Sequence, residues 1–199
     1  QIIYYVALTC LFVQNYYFGY MTAIFLIIWT LVQLSRLKGQ KLKRFVNFTL
    51  VSILSALSSL FMLLPTYLDL KTHGETFTNI VNLKTEDSWY LDFFAKNLVG
   101  SFDTTKFGSI PMISVGLVPL ILALLFFTLK SIKPIVKLSY SLFFTLIISS
   151  FYLQPLNLFW QGMHAPNMFL YRYAWVLSIG IIYLAAETVV RLDQINLKH

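Results

Sequence analysis

The chain has 199 residues, of which 58% are hydrophobic and only 12% charged, and it carries a formal net charge of +7. That balance excludes a water-soluble globular domain, because too little polar surface is present to clothe so large an apolar mass. The positive charge does not point to nucleic acid, since the basic residues stand beside hydrophobic blocks, where they meet anionic headgroups.

The sequence opens at Gln1 inside an apolar run, with no charged leader or cleavage site, and reads as an internal fragment of a longer chain. Residues 1–13 form the end of a partial span, in which the lone Cys10 is expected to be a packing residue that cannot form an intrachain disulfide. A polar and aromatic break at Gln14, Asn15, Tyr16 and Tyr17 leads into a second apolar block, 18–34. Residues 35–44 then carry Arg36, Lys38, Lys41, Lys43 and Arg44 without an acid, the mark of a cytoplasmic turn.

Residues 45–65 supply about twenty positions, enough at roughly 1.5 Å each to cross a hydrocarbon core about 30 Å thick. The segment 66–111 should then lie outside, and it holds six of the eight acids, Asp69, Glu75, Glu86, Asp87, Asp92 and Asp103. Within it Thr85 or Ser88 is placed to cap an interfacial helix that presents Trp89, Tyr90, Phe93, Phe94 and Leu98 on one side and stops at Gly100. Residues 112–129 return to a second basic turn, 130–137, with Lys130, Lys133 and Lys137. Residues 136–153 go out, 154–172 form a second outer loop, and 173–190 come back to Arg191 and Lys198 in 191–199.

Uniform apolar runs lack the alternation of a transmembrane barrel, and a backbone in lipid must satisfy its own hydrogen bonds. The expected fold is therefore all-α: a single transmembrane domain over 1–199, a helical bundle with about five full spans, one partial span and the external interfacial helix. Every basic turn falls on one side, which places the acidic loops on the extracellular side of a multi-pass membrane protein.

Two external stretches collect polar residues beside the membrane. In 160–172, Pro166 suits the first position of the final helix, which would put Arg172 about 9 Å along it, near the outer headgroups. There a planar guanidinium grips a phosphate with two parallel hydrogen bonds, although an interfacial anchor or a pairing with a loop acid explains Arg172 equally well. His164 would relay a proton or bind a phosphate, or serve the loop structurally. Asn167, Tyr171 and Trp160 suit the orientation of a sugar and are also ordinary interfacial residues.

In the first stretch Asp69 and His73 stand four apart, with Glu75 close by, a set that would suit a divalent metal or simply a solvated helix end. Asp103, between Gly100 and Gly108, reads as loop polarity or as an acceptor-side group. Glu187 lies one turn before Arg191, so an i,i+4 ion pair at the inner interface is expected rather than a proton relay. No nucleotide-binding glycine loop, zinc spacing or serine elbow is present in the sequence.

At Asn15-Tyr-Tyr-Phe-Gly-Tyr-Met, at Gly100-Ser-Phe-Asp with Ile110-Pro and the Gly116-Leu to Phe126-Phe run, and above all at His164-Ala-Pro-Asn-Met-Phe-Leu-Tyr-Arg, the chain resembles the YfhO-like family of bacterial membrane proteins. The resemblance covers most of the sequence. It implies a longer protein of C-type glycosyltransferase architecture in the bacterial cell membrane, using a polyprenyl-phosphate sugar donor and a cell-envelope glycopolymer such as teichoic acid as acceptor. It also implies a catalytic aspartate in a first outer loop upstream of Gln1, leaving Arg172 and His164 to face the lipid phosphate and 66–111 to face the acceptor. A transporter or flippase of lipid-linked sugars, and a noncatalytic membrane subunit, are the alternatives. A transporter should place polar residues along its spans, where this sequence has only scattered Ser and Thr.

Overall fold

The computed structural model describes residues 1–73, 82–85, 97, 111–164 and 170–192, and among these all regular elements are helices. The interfacial helix expected from Thr85 or Ser88 to Gly100 lies outside the described residues, apart from Thr85 and Asn97. The chain divides into two compact units, one of Gln1–Asn79 with Trp160–Ala165 and the other of Ile80–Phe159 with Pro166–His199.

The first unit begins with α1 (Ile2–Gln14) and α2 (Tyr16–Leu34). They part at Asn15, which is extended and whose side chain accepts a hydrogen bond from Phe18 N at 2.9 Å. This is an N-cap, and it explains the polar break between two apolar blocks. The 19 residues of α2 extend about 28 Å, enough to cross the hydrocarbon core. Cys10 does not pack inside the protein as the sequence suggested; it is exposed on α1, on the side that also carries the exposed Val6 and Ala7.

After the turn, Gln40 adopts a left-handed conformation (φ 53°) and α3 (Lys41–Ser58) begins. It runs parallel to α1 along a seam of serines. Tyr4 Oη meets Ser52 Oγ at 2.8 Å and Tyr5 Oη meets Ser58 Oγ at 2.7 Å. Ser55 and Ser59, fully buried, also reach the carbonyls of Tyr5 and Thr9 at 3.3 and 3.4 Å. Small side chains let two helices approach closely, and their hydroxyls bridge the gap. The scattered serines of the sequence are thus a packing stripe.

The sequence predicts one helix over 45–65 with Pro65 at its end. Instead α3 stops at Ser58 and α4 (Leu60–His73) leaves at 67° to it, with Pro65 inside the second helix. Ser59 at the break donates its hydroxyl to Ser55 O at 2.8 Å, and such a bond to the preceding turn competes with the helical ladder and bends it.

The second unit contains α5 (Leu117–Phe126), α6 (Pro134–Tyr152), most of α7 (Gln154–Trp160) and α8 (Ala174–Val189). A helix was expected over 112–129, but α5 has only 10 residues, about 15 Å, and 111–116 is non-helical. Pro119 accounts for the late start: in the first turn its missing N–H costs nothing, whereas a helix begun at 112 would put it in the interior. Gly116, at φ +79°, makes the change of direction, and the Asn97 side chain accepts from Val115 N and Gly116 N at 3.1 and 3.0 Å.

Pro134 opens α6, whose 19 residues again extend about 28 Å. Lys137, expected only as part of a basic turn, donates Nζ to the C-cap carbonyl of α5 at Phe127, 2.7 Å away. α8 packs on both α5 and α6. Its Gly180 allows this: a Cβ there would stand 2.7 Å from the Phe143 ring. Phe126, Tyr140, Phe143, Ile147, Leu177 and Leu184 form the buried core. At the far end of α8, Arg191 pairs with Glu187 and also donates to its carbonyl at 2.8 Å, as the i,i+4 spacing predicted.

Candidate functional site

The end of α6 opposite its lysines is built around an interruption. A helix leaves its last carbonyls without intrahelical donors, and Pro155, having no N–H, guarantees that the carbonyl of Phe151 is one of them. Leu153 is extended (φ −104°, ψ 113°) and pairs antiparallel with Lys84. Thr85 then supplies two donors: its hydroxyl reaches Phe151 O at 2.8 Å and its N–H reaches Tyr152 O at 3.0 Å. Gln154 N donates back to Leu83 O at 2.9 Å. The third carbonyl, Ser150 O, accepts from the hydroxyl of Tyr173 at 2.6 Å. Thr85 thus caps the end of α6; the helix it was expected to open lies outside the described residues.

Tyr173 is wholly buried and stacks on Phe151 at 5.3 Å and 15°, while Tyr171 meets the same ring edge-on at 5.7 Å. Two inward tyrosines leave the residue between them facing out, and Arg172 is exposed. It does not lie within the final helix as expected. That helix begins at Ala174 with Tyr173 as its N-cap, so Arg172 precedes it, held by aromatic packing on either side. Lys84, also exposed, is carried by the strand-like segment paired to Leu153. One interruption at the end of α6 thus fixes the backbone that carries Lys84 and packs the tyrosines on either side of Arg172.

Tyr171 and Arg172 belong to the second unit, whereas Trp160 and His164 belong to the first. Trp160 is buried and His164 partly so. Between them the chain turns through two consecutive positive φ values, 70° at Gly162 and 66° at Met163. The second is unusual for an L residue and costs about 1 kcal/mol or more, a strain of the kind that collects at functional sites. Asn167 lies outside the described residues.

Asp69 is exposed on α4 and His73 closes that helix, but the His73 side chain, Glu75 and Asp103 lie outside the described residues. Among the described residues no group of three potential metal ligands occurs. Reasoning from sequence missed Ser150 and Tyr173, and the bond of Thr85 to Phe151, which together build the platform. Pro155 just after a long apolar run was the available signal for it.

Two helices, Tyr16–Leu34 and Pro134–Tyr152, are long and apolar enough to cross a bilayer, and the bent pair of α3 and α4 makes a third candidate. Together with the exposed apolar side chains along them, they define a helical membrane protein. The chain belongs to the YfhO family of bacterial membrane proteins, whose family model, described as bacterial membrane protein YfhO, matches residues 1–199. No curated protein and no solved structure matches the chain.

Proposed function

We propose that the chain is part of a C-type membrane glycosyltransferase that moves a sugar from a polyprenyl-phosphate donor to a cell-envelope polymer such as teichoic acid. The observation that carries this reading is the setting of Arg172, an exposed guanidinium between two buried tyrosines at the end of a spanning helix. A cation held there meets the phosphate of a membrane-bound donor without ordering a long loop.

In this reading five spans follow a partial one, with 35–44, 130–137 and 191–199 inside and 66–111 and 154–172 outside. The α3–α4 pair counts as one crossing. The non-helical 111–116 plus α5 reach about 35 Å and count as another. The acceptor hydroxyl attacks the anomeric carbon, a carboxylate from the longer parent chain takes its proton, and Arg172 stabilises the departing phosphate. His164, Trp160, Tyr171 and Asn167 serve the donor, and Asp69, His73, Glu75 and Asp103 lie on the acceptor side, with a divalent metal as an open addition.

A flippase of lipid-linked sugars is the second reading, and one observation favours it. The half-length α5, entered through non-helical backbone, is the kind of discontinuous span that transporters use near the bilayer midplane.

The test places the full-length parent protein in liposomes with a radiolabelled polyprenyl-phosphate sugar and a teichoic acid acceptor. Transfer by wild type, reduced about tenfold or more in Arg172→Ala and partly kept in Arg172→Lys, is the expected result. Movement of labelled lipid between leaflets without transfer would replace the enzyme by the flippase. Equal transfer by wild type and Arg172→Ala would remove the site.

A further inference from the structure

The turn between α2 and α3 holds the densest positive charge in the chain. Lys38, Lys41, Lys43 and Arg44 are all exposed, and none of their side chains has a hydrogen bond or ion pair among the described residues. Other cations are differently employed, Lys137 on the Phe127 carbonyl and Arg191 on Glu187. No acid in the sequence precedes Asp69, which stands on α4, beyond the whole length of α3. That length is about 27 Å, well over the roughly 8–10 Å across which exposed charges act in physiological salt. Helix stability does not explain the placement either, because cations in the first turn oppose the positive end of the helix dipole.

The neighbouring apolar residues identify the partner. Leu42, set among the cations, is 76% exposed, and Val46, Leu50, Ile53, Leu54 and Leu57 continue the exposed apolar stripe along α3. A stripe of this kind faces acyl chains, so its basic end stands at the level of the headgroups. We propose that this turn is a binding surface for anionic phospholipids, with Lys38, Lys41, Lys43 and Arg44 on headgroup phosphates and Leu42 among the upper acyl carbons. A soluble acidic partner would match the charge but not the lipid-facing stripe that begins inside it.

The test reconstitutes the full-length parent protein in vesicles of equal phosphatidylglycerol and phosphatidylcholine, re-extracts it in mild detergent and measures the lipid that remains bound. One basic residue near an anionic surface is worth roughly a fivefold preference. Wild type is therefore expected to retain phosphatidylglycerol over phosphatidylcholine by at least about fivefold, and K38Q/K41Q/K43Q/R44Q to fall within about twofold of the vesicle ratio. K130Q/K133Q should keep the wild-type preference. K41Q/K43Q, with an intermediate loss expected, serves if the fourfold variant does not fold. Absence of enrichment in wild type, full enrichment in the fourfold or double variant, or an equal loss in K130Q/K133Q would overturn the proposal. Displacement of the retained lipid by millimolar inorganic phosphate would also overturn it, assigning the surface to free phosphate. Because the readout is bound lipid, it stands whether or not sugar transfer is observed.

Discussion

Tyr173 does two things with one ring: its face packs on Phe151 and its hydroxyl satisfies Ser150 O. Tyr173→Phe keeps the stack and removes this donor from a buried backbone carbonyl, at a cost of about 1–3 kcal/mol. Thermal unfolding in detergent should register that loss, whereas an unchanged midpoint would mean that water reaches the carbonyl. Transfer activity should fall less in Tyr173→Phe than in Arg172→Ala, since the first loosens the platform and the second removes the contact. At this scale the Glu187–Arg191 pair was legible from its spacing. The bond of Thr85 to Phe151 was not legible, because the two are 66 residues apart and Phe151 belongs to another element. Local capping rules contain no information about that carbonyl.

The helices show how far periodicity carries and where it stops. Apolar runs located every described spanning element, because burial in lipid imposes the same demand along the whole run. Their ends were another matter. Pro119, Ser59 and Pro155 each interrupt a continuous apolar block, and hydropathy does not register them: a proline or serine affects the hydrogen-bond ladder rather than the greasiness of the run. The contact of α8 with α6 depends on Gly180, where a Cβ would lie 2.7 Å from Phe143 and 3.2 Å from Phe144. Gly180→Val should therefore force these two helices apart and cost about 1–3 kcal/mol. A lower unfolding midpoint with unchanged helical circular dichroism is the expected signature. Wild-type stability in that variant would show that the aromatic rings yield without loss.

For the molecule as a whole, the recurrence of basic turns between the apolar blocks makes a prediction about sides. With Cys10 replaced by serine, Lys38→Cys and Lys133→Cys should react with a membrane-impermeant maleimide only in inverted vesicles, and Lys84→Cys in intact cells. Labelling of Lys84→Cys and Lys133→Cys from the same side would disprove the proposed path through α6.

The stitch at the end of α6 also sets an order of assembly. Thr85 is synthesised before the carbonyls it serves, whereas Tyr173 emerges after them. A nascent chain that has inserted α6 can cap Phe151 and Tyr152 at once, but the Tyr173 bond to Ser150 O and the two tyrosine contacts of the Phe151 ring must wait for residues 171–173. Until then the end of α6 lacks the Tyr173 bond to Ser150 O and both tyrosine contacts of Phe151. The platform that carries Arg172 is therefore completed only once Tyr171 and Tyr173 have been made.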